Sequence, residues 1–196
     1  MKQVTMFVFG LLAMLSACPA FAEDVSAPPT AWESALLDQA ATCAEVKSET
    51  RTMLLKMLRM EADAEIPEHV RGITVAIACI EAKFNPKAEG DHKFSKDGKS
   101  PMAVGLFQMW PFWKRYKLDR RDPYAATKVW LNFMKGQTRY VTRKCKPTSE
   151  EQKWASAVAY SMMGPGSRCH QHTSHHRLLQ KWQKKMADKA VRTSQR

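Results

Sequence analysis

Glycine is scarce in this chain, with 8 among 196 residues, and no stretch is rich in Ser and Gly or repeats itself. Collagen-like, low-complexity and solenoid architectures are thereby excluded. Beyond the N-terminus no apolar run approaches the ~18 residues that a membrane span needs. Acidic side chains are outnumbered: 19 Asp and Glu face 31 Lys and Arg, a formal net charge of +12. Such an excess points to an anionic partner, whether nucleic acid, a membrane surface or an acidic polymer. Apolar material is ample at 44%, so the chain is not disordered and has the means to build a core. Its length suits one domain with a basic C-terminal helix or tail.

The N-terminus selects among those partners. Lys2 gives a basic start, Val4 to Leu15 is almost wholly apolar, and Ala20-Phe21-Ala22 before Glu23 reads as a small-x-small cleavage site. This is the pattern of a secretory signal peptide ending at Ala22. Leu15-Ser16-Ala17-Cys18 also resembles a bacterial lipobox, in which Cys18 is acylated and anchors the protein to a membrane. Both readings take the chain out of the cytoplasm, to the periplasm or beyond, and away from nucleic acid. Four cysteines then stay available: Cys43, Cys79, Cys145 and Cys169. In an oxidising compartment an even set implies two disulfides. Sequence proximity favours Cys43–Cys79 and Cys145–Cys169.

Periodicity predicts helices throughout. Thr30-x-x-Glu33 is a capping box, followed by Trp32, Leu36, Ala40 and Cys43 at helical spacing. Met53, Leu54, Met57 and Met60 mark a second helix. Pro67 suits a first turn, and Val70, Ile73, Ile77, Ile80 and Phe84 continue a third stripe, ended by Asn85-Pro86. Asp122-Pro123 opens a helix with Val129, Trp130, Phe133 and Met134. Ser149-x-x-Gln152 opens one with Trp154, Val158 and Tyr160. Leu178, Leu179, Trp182 and Met186 mark the last, fraying into a polar tail. No long stretch alternates with period two, so the fold reads as all-α. The division expected is 1–22 leader, 23–65 N-terminal helical region, 66–168 core and 169–196 basic helix and tail. One long loop, from Asn85 to about Val104, breaks the helical pattern, and loops of that length in compact domains are usually functional.

Glu81 stands out. It lies four residues after Ile77 and three before Phe84, on the apolar stripe and in the last turn of its helix. Desolvation and the negative end of the helix dipole both disfavour its charged form. A carboxylic acid kept protonated near neutral pH is what general-acid cleavage of an ether-like bond requires.

Four segments in order carry a resemblance. Ile80-Glu81-Ala82-Lys83-Phe84-Asn85-Pro86-Lys87-Ala88 is similar to the segment bearing the catalytic glutamate of soluble lytic transglycosylases of the SLT type and of goose-type lysozymes. Ala103-Val104-Gly105-Leu106-Phe107-Gln108-Met109-Trp110-Pro111 resembles their Gly-Leu-Met-Gln motif. Asp122-Pro123 before a helix resembles a third motif. Ala159-Tyr160 and Gly164-Pro165-Gly166 resemble a fourth, Ala-Tyr-Asn-x-Gly-Pro-Gly. The likeness runs from about Ile73 to Arg168. It implies a lysozyme-like helical fold and cleavage of the β-1,4 bond between N-acetylmuramic acid and N-acetylglucosamine in peptidoglycan, with no cofactor or metal. It also implies that Glu81 acts as acid and then base, and that Tyr160 hydrogen-bonds Glu81 or the sugar's N-acetyl group. Gln108 would contact sugar polar groups, Gly105 would let backbone approach the glycan, and Phe107, Trp110 and Trp113 would offer stacking faces, with core packing the plainer reading for at least one of the three. In such transglycosylases the N-acetyl group stabilises the intermediate and the sugar's 6-hydroxyl attacks, an exception to two-carboxylate chemistry.

The chain departs from the pattern in three places. Ala82 stands where the family usually has Ser, and Ser161 where it has Asn, with Met162-Met163 lengthening the connection to Gly164. The loop before Gly105 is longer than in the transglycosylases and carries Asp91 and Asp97. A second carboxylate opposite Glu81 would turn the reaction into inverting hydrolysis, so a muramidase using Asp91 or Asp97 is the alternative. In the plainer reading Asp91 and Asp97 are turn residues beside Gly90 and Gly98. A third reading is a wall-binding protein without activity, which the presence of Glu81, Gln108 and Tyr160 disfavours.

Cys169, His170, His172, His175 and His176 crowd the region before the last helix. Imidazoles and a thiolate bind zinc, but this spacing fits no standard site and Cys169 is better used in a disulfide, so no metal is expected. The histidines instead predict charge gained as pH falls through about 6.5. Residues 112–147 hold 11 basic and 2 acidic groups, and residues 168–196 hold 8 and 1. For an exported protein the anionic partner is then the wall itself, through its lactyl and peptide carboxylates, and salt should weaken that attraction.

Overall fold

The computed structural model describes residues 27–194. The leader, Cys18 and the Ala22 cleavage site lie outside the described residues.

Helix α1 (Ala31–Ala40) starts at the expected box: the Thr30 side chain accepts from Glu33 N, and the Glu33 carboxylate accepts from Thr30 N at 2.7 Å. Helix α2 (Ser48–Asp63) buries Met53, Leu54, Leu55, Met57, Leu58 and also Glu61. Helix α3 (Ile73–Ala82) is buried on nearly every side, and helices apolar all round sit at the centre of a fold. Helix α4 (Pro123–Cys145) has Asp122 as its cap and Pro123 in its first turn, while α5 (Glu150–Met163) is capped by Ser149. Helix α6 (Ser174–Ser194) closes the chain. The all-α expectation holds, with one addition. The long loop contains a two-stranded antiparallel pair, β1 (Glu89–Gly90) with β2 (Ala103–Val104). Strands of two residues are too short to leave a period-two pattern in sequence.

The third stripe is not one helix. Glu68–Val70 forms a separate 3-10 turn, and Gly72 at φ +97° breaks the chain before α3. A Cβ on Gly72 would sit 2.8 Å from Leu36 and 2.9 Å from Leu179, so this position also lets α1 and α6 close onto the start of α3. Packing follows the same logic: α3 lies against α1, α2 and α6, α2 also touches α4, and α4 and α5 pair along their length. One continuous core joins residues of all six helices, including Leu36, Leu58, Ile77, Trp130, Val158 and Trp182. The last helix is therefore a core element over its first turns, and what was expected as a fraying tail is helical to Ser194.

Both expected disulfides are formed, Cys43–Cys79 and Cys145–Cys169. They fit a protein folded in an oxidising compartment. Among the described residues no helix is long and apolar enough to cross a membrane.

Candidate active site

Glu81 occupies the last turn of α3. The helix stops there because Lys83 (φ +50°) and Phe84 (φ +65°) both turn left-handed, with Phe84 N donating to Ala78 O at 3.0 Å. The Glu81 side chain is 27% exposed, so it is more open than the apolar stripe implied. Its partner was not expected. Nε2 of His175, in the first turn of α6, lies 2.7 Å from Glu81 Oε1. His175 is 8% exposed, and its Nδ1 is buried with no hydrogen-bond partner. A neutral ring needs its proton where an acceptor waits, which puts the hydrogen on Nε2, pointing at the carboxylate.

Of the two partners expected for Tyr160, Glu81 is not bonded to it. The Tyr160 hydroxyl is buried, its ring packs edge-on against Tyr140 at 5.4 Å, and Lys144 lies 5.1 Å from the ring centre. The Tyr160 hydroxyl, then that of Tyr140, raises the pKa of the Lys144 ammonium, so the Tyr160 oxygen is addressed by Lys144 and not by Glu81. The contact to Glu81 comes from α6 instead. Ser161 spends its hydroxyl on Ala157 O of its own helix, at 2.8 Å.

The two candidate second carboxylates part company. Asp97 is tied into a turn, accepting from Ser95 Oγ, Lys99 N, Ser100 N and Ser100 Oγ at 2.6–2.9 Å. The Ser100 hydroxyl and amide, then Lys99 N and Ser95, hold its carboxyl far below the usual range. Asp97 is thus a local turn residue, the plainer of its two readings. Asp91 is exposed and accepts from Trp110 Nε1 at 2.9 Å. Trp110 also meets Phe94, ring centres 5.5 Å apart, and Phe94 is 55% exposed. Phe94, which the motifs did not mark, extends this aromatic face.

Other expected contacts prove internal. Phe107 is 4% exposed and stacks on Trp130, and Trp113 packs edge-on against Phe133, so both belong to the core rather than to a sugar platform. Gly105 (φ +79°) is required by the chain itself: a Cβ there would lie 2.0 Å from Arg120 O. Close approach to a glycan is not what fixes that glycine. Gln108 donates to Gly105 O at 3.0 Å and Ala88 O at 3.4 Å, bracing the two sides of the long loop. Arg120 adds bonds to Met109 O and Met102 O, and Arg121 pairs with Glu89. Neither arginine was marked by the motifs.

Glu61 was also missed. It is fully buried in α2 and caps the start of α3, accepting from Gly72 N, from Thr74 N at 2.7 Å and from Thr74 Oγ1 at 2.5 Å. Burial pushes its pKa from 4.5 up to about 7, and those donors together with Arg71 restrain the rise. A carboxylate at a helix N-terminus is favoured by the dipole. A polar residue on the buried face of α2 was the available signal. The helix carrying Glu81 is therefore held at both ends by charged or polar groups from other helices.

His176 is set apart by its burial. It is 1% exposed, and burial, then the charges of His172 and His69, lower its pKa from 6.5 to about 4. The charge expected from up to six histidines near pH 6.5 does not extend to this one, because a sequence does not display burial.

Among the described residues, surface hollows lie between α2 and α4 around Lys56 and Tyr124, and along α1 and α6, and Glu81 is not in the walls of these. No family model, no curated protein and no solved structure matches the chain.

Proposed function

We propose that this protein is an exported, lysozyme-like enzyme that cleaves peptidoglycan glycan strands by lytic-transglycosylase chemistry. One observation carries the reading: a glutamate at the end of a buried helix, partly open to solvent, with an imidazole 2.7 Å away. The four ordered motifs of the sequence supply the substrate class. Glu81 in its protonated form gives its proton to the glycosidic oxygen as the C1–O bond breaks. The N-acetyl oxygen of the muramyl unit then takes up the developing bond at C1. Glu81, now a carboxylate, removes the proton of the 6-hydroxyl as that oxygen attacks C1, leaving a 1,6-anhydro end. His175 fixes the orientation of the carboxyl group through both steps. Trp110 and Phe94 give an open aromatic surface against which a sugar face can lie. Tyr160 supports the site by packing, since its hydroxyl is covered.

Asp91 favours a second reading. It is exposed and oriented by the Trp110 indole, so it can serve as the base for water in a hydrolytic muramidase. Digestion of purified sacculi followed by mass spectrometry tests both. Anhydro ends support the transglycosylase, and reducing ends, one water heavier, support the hydrolase. Glu81→Gln is expected to release no muropeptides while keeping its helical circular dichroism. Full release by that variant would overturn both readings.

A further inference from the structure

Around the first turn of α6 the histidine cluster resolves into a specific arrangement. Glu151 of α5, His172 of the preceding loop and His176 of α6 each bring one ligand atom within 4.8 Å of the others. The rings of His172 and His176 stand edge to face, 4.6 Å apart. Cys169, the thiolate considered with these histidines, is committed to Cys145. What is left is two imidazoles and a carboxylate.

The decisive feature is His176. It is almost fully buried, yet its Nδ1 has no hydrogen-bond partner. A buried imidazole without a partner is costly, and such groups call for an explanation. His172 is half-buried beside it, and Glu151 is exposed at the rim. Burial thus falls from His176 through His172 to Glu151, which leaves the carboxylate side open to solvent.

We propose that Glu151, His172 and His176 form a zinc site that fastens α5 to the start of α6. Two imidazoles and one carboxylate are a standard donor set for zinc, with the fourth position open to water. Zinc bonds of about 2.0–2.1 Å draw tetrahedral ligands to about 3.3 Å of one another. Closure by an ångström or so, taken up by the exposed Glu151 side chain, would seat the ion. Glu151 accepts from Gln180 Nε2 at 3.1 Å through one of its two carboxylate oxygens. Because His175 adjoins His176, the ion would also stiffen the turn that presents His175 to Glu81. The metal site itself does not rest on the glycosidase reading.

The test uses the full mature chain, stripped with chelator, and zinc chloride as the only ligand. Calorimetry is expected to give one zinc per chain with Kd of about 1 µM or tighter. Glu151 is exposed and His172 only half-buried, so Glu151→Gln and His172→Ala should fold, and each is expected to weaken binding at least about tenfold. Cobalt(II) substituted at the site should show the intense visible bands of a four-coordinate centre, reduced in His172→Ala. No zinc bound at about 100 µM, or binding unchanged in both variants, overturns the proposal; the latter would mark adventitious binding at other histidines. The readouts are binding and spectra, so an inactive enzyme would leave the answer standing.

Discussion

Glu81 Oε1 and His175 Nε2 meet at 2.7 Å although 94 residues separate them in sequence. The contact joins the end of the most buried helix to the beginning of the last one. It makes α6 part of the site, not an appendage to it. On the proposed function His175 is a positioning residue, since it touches Glu81 and not the bond to be cleaved. His175→Ala is expected to lower kcat about 10- to 100-fold while KM for sacculi changes little, because a misaimed acid costs rate more than affinity. His175→Gln keeps an N–H donor and should recover part of the loss. Turbidity assays at several substrate concentrations measure both. Wild-type kcat in His175→Ala would remove His175 from the site.

Trp110 separates the two chemical readings from each other. Its indole binds Asp91 and its ring meets Phe94, so one side chain organises both a carboxylate and an aromatic face. Trp110→Phe keeps the face and frees Asp91. Under transglycosylase chemistry this variant should alter KM by no more than about threefold, whereas Trp110→Ala should raise KM about three- to tenfold. Under hydrolysis Asp91→Asn should abolish turnover; under the preferred reading it should leave the anhydro product intact. Loss of all product in Asp91→Asn would therefore reverse the order of the two readings.

Glu61 predicts a pH dependence of stability with a definite sign. Its pKa is about 7 in the folded chain and 4.5 when exposed. Between those values the folded state holds the proton and the unfolded state has released it. Stability from this group is thus greatest below about pH 4.5 and falls as pH rises to about 7, by roughly 3 kcal/mol. His176 acts oppositely: its folded pKa of about 4 lies below 6.5, so it adds stability as pH rises through that window. The two slopes overlap, which makes the wild-type curve alone uninformative. The difference between wild type and Glu61→Gln cancels His176. Urea melts at pH 5 and 7.5 should show wild type losing roughly 2–3 kcal/mol relative to the variant. A constant difference would mean that Glu61 does not hold its proton in the fold.

Helix identities were legible because caps and apolar stripes are local. Thr30 with Glu33, Asp122 with Pro123, and Ser149 each mark a boundary that one turn of chain determines. The cysteine pairing was legible from proximity, and the place of Glu81 in the last turn of α3 from Asn85-Pro86 beyond it. What escaped depends on distant segments. Gly72 carries no signal in the stripe around it, because its reason is the convergence of Leu36 and Leu179 from distant helices. His175 was one histidine among several, and only the packing of α6 on α3 singles it out. Phe107 and Trp113 carried the right chemistry for sugar stacking, but burial decides that role, and motifs do not report burial.

The Cys43–Cys79 bridge binds the loop after α1 to α3 two residues before Glu81, across a sequence separation of 36. It constrains both the unfolded chain and the local position of the proposed acid. Closing a loop of that length contributes about 4 kcal/mol by chain entropy. The Cys145–Cys169 bridge, with a separation of 24, contributes about the same but lies at the far ends of α4 and the loop before α6. Replacing Cys43 and Cys79 together by Ser should lower the urea midpoint by about 1–2 M. The same double replacement at Cys145 and Cys169 should produce a similar drop. Their effects on activity should differ under conditions where both variants stay folded. Cys79 shares the last two turns of α3 with Glu81, so the first pair of substitutions should also lower kcat. The second should act on kcat only through the turn that carries His175. Equal midpoints for the oxidised chain and the Cys43/Cys79 variant would mean that the helix core alone holds α3 in place, leaving the bridge without a share in the stability of the site.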